Sequence, residues 1–177
     1  MLESLTTNLD SFLNTPMLSR IRRNHGLEHA TLTILAQRFP GVPMAGHSTA
    51  AGFRLMGNVP TEAVQTAVEE ALRRMLGGEA KLAVHPNCGT NFVTAGTLSG
   101  LAGAAAMFGV GRRTRDKVER IPVAILMATL ALIAAYPLGL KVQEKVTTSG
   151  KPGTLQVSKI IKTQRGSLTI HQVLTQG

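Results

Sequence analysis

The sequence predicts a mainly α membrane protein. An N-terminal α+β domain occupies residues 1–91, a two-helix transmembrane hairpin 92–140, and a basic C-terminal tail with a short β-hairpin 141–177. Three observations carry this prediction. Residues 92–111 and 121–140 are two runs of twenty without a formal charge, each long enough as a helix to cross the roughly 30 Å hydrocarbon core of a bilayer. The nine residues between them, 112–120, include five Lys or Arg, and so short a connection forces an antiparallel return. The whole chain is 44% hydrophobic and only 16% charged over 177 residues, a low charge content for a soluble domain.

The elements follow in order. The first sixteen residues contain Glu3 and Asp10 and no basic residue, so they lack the positive and apolar regions of a cleaved signal peptide. The first membrane helix is then expected to act as the membrane signal. Thr15-Pro16 reads as a helix start, with Thr as N-cap and Pro at the first helical position. The helical pattern runs from Pro16 to about Arg38, Pro40 ends it, and Gly26 is a weak point inside it. Residues 41–59 alternate apolar and polar side chains, punctuated by Gly46, Gly52 and Gly57, as in a β-hairpin. Pro60-Thr61-Glu62 opens a second helix that reaches Leu76, where Gly77-Gly78 stops it. Its apolar stripe is Val64, Ala67, Val68, Ala71 and Met75.

In the hairpin, Gly96, Gly100 and Ala104 on the first helix recur every four residues. Ala124 and Ala128, then Ala131 and Ala135, do so on the second. Small residues at this spacing let helices approach closely in lipid, so these faces are expected to pack, on each other or on a membrane-protein partner. Beyond the hairpin, 150–153 is a turn-rich break. Residues 154–163 and 167–174 read as two strands joined around Arg165-Gly166.

The net charge of +9 is uneven: residues 1–91 carry eight Lys/Arg against seven Asp/Glu, and 92–177 carry eleven against three. Basic residues that flank apolar spans fit anionic lipid headgroups. Nucleic acid is not expected as a partner, because interleaved aromatics and a basic recognition helix are both missing. The expected location is the bacterial inner membrane with both termini cytoplasmic. The opposite topology would export a large N-terminal domain without a signal peptide, and Arg73, Arg74, Lys81, Lys141, Lys145 and Lys151 already flank the helix ends on the terminal side. With Cys88 the one cysteine, no intrachain disulfide forms. Gly109-Val110-Gly111 leads into Arg112 rather than a helix start, so it is no dinucleotide fingerprint.

His25-Gly26-Leu27-Glu28-His29 is the motif that carries chemistry. Residues four apart share a helix face, so His25 and His29 can hold one metal ion. Glu28, on the edge of that face, can serve as general base toward a water the metal activates. The pattern inverts the H-E-x-x-H of metalloproteases. Catalytic zinc takes three protein ligands and structural zinc four. His85 and Cys88, in the tight loop His85-Pro86-Asn87-Cys88, are the candidates for the remainder; His47 and His171 are the other histidines. Four of the six His and Cys residues thus fall in two short motifs. The plainer alternative leaves His25 as a surface residue, Glu28 paired with a cation such as Arg23, and Cys88 as a small buried hydrophobe.

These motifs resemble those of the YqhQ-like family of bacterial membrane proteins, which are described as metal-dependent enzymes by prediction and have no assigned function. That family pairs an H-G-x-E-H helix with an H-P-x-C-G-T-S segment entering a membrane helix, and follows its membrane helices with a P-G-x-x-L-Q-x-x-T-T segment. The corresponding residues here are His25-Gly26-Leu27-Glu28-His29, then His85-Pro86-Asn87-Cys88-Gly89-Thr90-Asn91. A looser third match runs through Pro137-Leu138-Gly139, Gln143 and Thr147-Thr148. Asn91 replaces the family's Ser, and the chain has fewer membrane helices. It is more similar to a shorter group of uncharacterised membrane proteins from cyanobacteria or green non-sulfur bacteria. The resemblance implies a metal site, with no particular reaction.

The expectation is therefore a zinc-dependent membrane protein, of the hydrolase or peptidase type. His25, His29, His85 and Cys88 are the metal ligands, and Glu28 is the base at the membrane surface. The alternative is a non-enzymatic subunit or assembly factor of a membrane complex in which the metal is structural or absent.

Overall fold

A computed structural model gives the fold of residues 2–177, with side chains described from Thr7 onward. The chain forms two compact units, Met1–His85 with Glu144–Gly177, and Pro86–Gln143. This differs from the three-part division at 91/92 and 140/141. The C-terminal residues join the N-terminal ones because their strands complete one sheet.

The first unit contains α1 (Leu2–Leu13), α2 (Pro16–Arg38), β1 (Ala45–Thr49), β2 (Gly52–Met56), α3 (Thr61–Leu76), a 3-10 turn at Ala80–Ala83, β3 (Gln156–Arg165) and β4 (Leu168–Gln176). Helix α1 was not anticipated. The bounds of α2 match the sequence expectation, but the Thr15 hydroxyl donates to the Phe12 carbonyl at 2.8 Å instead of capping the helix. The stripe on α3 is buried as expected: Val64, Ala67, Val68, Ala71 and Met75.

The sheet has the order β1-β2-β4-β3, antiparallel throughout. An isolated hairpin is marginal in water, and here each hairpin supplies the other with a partner strand: β4 runs along β2 from Gly52↔Leu174 to Met56↔Ile170. Alternation then decides the faces. Phe53 and Leu55 of β2, with His171 and Val173 of β4, turn inward and are buried in the core with Leu27, Leu35, Val64 and Val68. Arg54 and Gln172, in register with each other, turn outward.

Asn24 fixes how α2 meets the sheet. Fully buried, it donates to the Thr49 and Ala50 carbonyls and accepts from Thr175 Oγ1 at 2.7 Å. One amide thereby ties α2 to the β1–β2 turn and to the end of β4.

The second unit is an antiparallel pair, α4 (Gly89–Ala106) and α5 (Thr114–Val142). Where two apolar spans were expected, one helix among the described residues is long and apolar enough to cross a membrane. This is α5 with the π-turn that prolongs it, Thr114–Thr147, 34 residues with a mean hydropathy of 2.2 in its most apolar stretch. Helix α4 is 18 residues long and diluted by Gly, Thr, Ser and Asn. The basic stretch 112–120 is mostly the first turns of α5 rather than a loop, with Arg115 and Glu119 paired at 2.8 Å.

The packing faces are part of what was expected. Gly103 of α4 meets α5 at Ala124 and Ala128, a Cβ at 103 falling 3.8 Å from that of Ala128. Ala135 and Gly139 continue the buried row. Gly96 and Gly100 face open space, with nothing within 4 Å of a Cβ there; the half-buried positions of α4 run through Ala95, Leu98, Ala102 and Ala106 instead. A polar latch closes the end of the pair: Gln143 Nε2 donates to Asn91 Oδ1 at 3.1 Å, and Asn91 Nδ2 donates to the Pro86 carbonyl at 2.7 Å.

His171 is fully buried between the sheet and α3, with Nε2 3.1 Å from Thr61 Oγ1 and no partner for Nδ1 among the described residues. Burial pushes its pKa below 6.5, Lys162 adds to this, and Glu62 opposes it. The fold thus prefers the neutral ring. That preference is neutral for stability above pH 6.5 and penalises the folded state as pH falls through the lower folded value. Melting temperature should drop over this window, and His171→Leu should flatten that part of the pH–melting curve; an unchanged slope would contradict the assignment.

Candidate metal centre

The site is built on α2, at the point where two other segments of the first unit cross it. A Cβ at Gly26 would lie 2.2 Å from the Ser149 carbonyl oxygen and 3.1 Å from Ala83 Cβ. Only glycine admits both segments. The residue read as a weak point in the helix is the place where the helix is crossed. Ser149 N–H bonds to the Arg22 carbonyl at 2.9 Å, and Arg22 Nη2 reaches the Lys145 carbonyl at 2.9 Å, so the segment after α5 is pinned along α2.

These two segments hold the two histidines. His25 Nδ1 is 2.9 Å from the Thr147 carbonyl, and His29 Nδ1 is 2.8 Å from the Ala83 carbonyl. A carbonyl only accepts, so each Nδ1 carries a proton, and in that tautomer Nε2 is the nitrogen available as a ligand atom. Metal-binding histidines are held in this way, by a second-nitrogen bond that fixes tautomer and ring plane. The rings lie 4.3 Å apart at 62°, and each offers a ligand nitrogen within 4.8 Å of the other's. His29 is buried and His25 half-buried.

His85 joins them. It follows the 3-10 turn whose Ala83 carbonyl anchors His29, and its ring lies 5.7 Å from that of His29. Three imidazoles from two stretches of chain thus converge within the first unit. Cys88 is buried at the N-cap of α4, in the second unit; along the chain it stands three residues beyond His85.

Glu28 is 3% exposed. Ser48 Oγ of β1 donates to its Oε2. Gly46, two residues earlier on the same strand face, leaves the room the carboxylate fills, since a Cβ there would lie 2.2 Å from Oε1. β1 therefore forms a lid of small residues over Glu28, held in place through Asn24. Neither Gly46 nor Ser48 was expected at the site. Their signal in the sequence is only a small residue at every second position of a strand, which many strands share. The other two histidines stay outside: His47 turns to the exposed face of the sheet, and His171 packs against Thr61.

A buried carboxylate beside tautomer-fixed imidazoles is a set suited to zinc and to proton transfer. An uncharacterised protein of the cyanobacterium Picosynechococcus sp. (strain ATCC 27264 / PCC 7002 / PR-6) is 35% identical over 173 residues, covering 85% of this chain and 84% of that one. No solved structure matches the chain. The profile described as "Domain of unknown function (DUF6391)" matches residues 20–160. That span includes α2, the His85 loop, the helical pair and Thr147, so the chain belongs to the DUF6391 family.

Proposed function

We propose that this protein is a membrane-anchored zinc protein of hydrolase type, a peptidase being the nearest chemistry. His25, His29 and His85 hold the metal and Glu28 is the general base. The observation that carries the reading is the pair of Nδ1–H bonds to backbone carbonyls, because it fixes the tautomer and ring plane of two imidazoles on one helix face. Zinc bound there would supply Lewis-acid activation of a water or a carbonyl. Glu28, screened from solvent and steadied by Ser48, would take and return the proton. The order of the H-G-x-E-H, H-P-x-C and T-T motifs, similar to that of YqhQ-like proteins, supports the same reading.

Cys88 is the fourth candidate. Its buried thiol and its three-residue tether to His85 favour a second reading, a closed structural His₃Cys shell in a non-enzymatic subunit or assembly factor.

The membrane placement rests on α5. Its apolar stretch is only 11% buried, unlike the core helix of a soluble fold. Ile125, Leu130, Ile133 and Tyr136 on α5, and Phe92, Val93 and Leu101 on α4, are all exposed. Apolar surface of this extent marks a membrane or partner contact. In this proposal α4 and α5 enter the bacterial inner membrane as a hairpin with both termini cytoplasmic, and the lipid or a membrane-embedded partner or substrate meets the outward faces.

Purified full-length protein should carry close to one zinc per chain by mass spectrometry of the metal. His25→Ala with His29→Ala should lose it while keeping the circular dichroism of the parent; zinc retained in that variant would refute the site. Glu28→Gln should keep the metal and lose hydrolysis of a membrane-peptide substrate panel. Metal and hydrolysis lost together would make Glu28 a ligand instead. Gly46→Ala should cost about 1–3 kcal/mol of stability, as overpacking against Glu28 does, measurable by urea unfolding; an unchanged midpoint would show that the carboxylate moves freely.

A further inference from the structure

The outward face of the sheet holds a groove of about 480 Å³, within the size range of small-ligand sites. Strand register builds it. His47, Arg54 and Gln172 stand in one cross-strand row, and Met56, Ile170 and Thr163 in the next. Arg165, at the end of β3, closes one side. Met56 and Ile170, in register with each other, add a short apolar floor to its lining.

The charge on this face has one sign. Arg54, Lys159 and Arg165 are the charged residues of the strands on this side, Lys162 pairing with the inward His171, and none of the four strands contains Asp or Glu. Among the described residues, every ion pair is made elsewhere, by Arg38, Arg74 and Arg115, so Arg54 and Arg165 have no carboxylate partner. Two unpaired planar forks, an imidazole and the neutral donors Thr163 and Gln172 converge on one cavity. A fork of this kind matches phosphate oxygens bidentately.

We propose that this groove binds a phosphate-bearing anion, gripped by Arg54 and Arg165, with His47 at its edge. Free phosphate compounds and lipid headgroups share that chemistry. The apolar floor of Met56 and Ile170 has room for carbon beside the phosphoryl group. Nucleic acid is disfavoured because the groove has no Phe, Tyr or Trp for base stacking. The groove is distinct from the histidine site and is proposed independently of it.

The test is calorimetric titration of the full-length protein in neutral detergent with inorganic phosphate, dihexanoyl phosphatidic acid and a single-stranded oligonucleotide. Phosphate or the phosphatidic acid should bind. Arg54→Gln with Arg165→Gln should weaken that binding at least about tenfold, the scale of losing charge-assisted hydrogen bonds. Lys117→Gln, on α5, should leave it unchanged. Tighter binding of the lipid would assign the groove to headgroups, and equal binding would assign it to free phosphate compounds. If the double variant fails to fold, Thr163→Glu decides, because a carboxylate placed in the groove should abolish binding. Failure of both phosphates to bind, indifference of their binding to these substitutions, or binding of the oligonucleotide alone would overturn the proposal.

Discussion

Everything at the candidate metal centre depends on the close crossing at Gly26. A helix that presents two histidines four residues apart aims them only as well as their second nitrogens are held. Here the holders are main-chain carbonyls, Thr147 for His25 and Ala83 for His29. Both belong to segments that come against α2 where it has no side chain. Any residue larger than glycine would push the Ser149 backbone away and loosen the ring beside it. The geometry of such sites lies in the supporting bonds as much as in the ligands, and in this chain the supporting groups are main-chain carbonyls.

The same crossing explains why a sequence-distant tail is part of the N-terminal unit. Residues 144–149 lie along α2, and β3–β4 then complete the sheet that β1–β2 begins. The β1 strand, fixed to α2 through Asn24, lays Gly46 and Ser48 over Glu28. Strands from both halves of this unit complete one sheet, and the carbonyls that hold His25 and His29 come from the same two halves, Thr147 and Ala83. The core side chains Phe53, Val173, Val64 and Leu35 stabilise that closure, and the buried polar groups Asn24, His171 and Thr175 specify its register.

Much of this was legible in the residues. The period of α3, the ends of α2, the hairpin that follows α2 and the two C-terminal strands follow from apolar spacing and from Gly and Pro. The histidine triad follows from i, i+4 spacing and a Pro-stiffened loop. What stayed hidden is tertiary. Nothing local says that β4 pairs with β2 rather than with β3 alone. The charges of 112–120 read as a loop, although Arg115–Glu119 pairing suits a helix equally. The Gly96–Gly100 row looked like the packing face, but which row docks depends on the rotation of α4, and the row through Ala95, Leu98 and Ala102, with Gly103 at its edge, is the half-buried one. Ser48 and Gly46 carry no motif; only the arrival of β1 over Glu28 gives them a role.

The most direct measurement of the central claim is X-ray absorption at the zinc edge on the purified, metal-loaded full-length protein. The account predicts a first shell dominated by imidazole nitrogen at about 2.0–2.1 Å, with the outer-shell scattering of two or three histidine rings. A sulfur contribution at about 2.3 Å would add Cys88 to that shell. A shell of oxygen alone, without ring scattering, would contradict it.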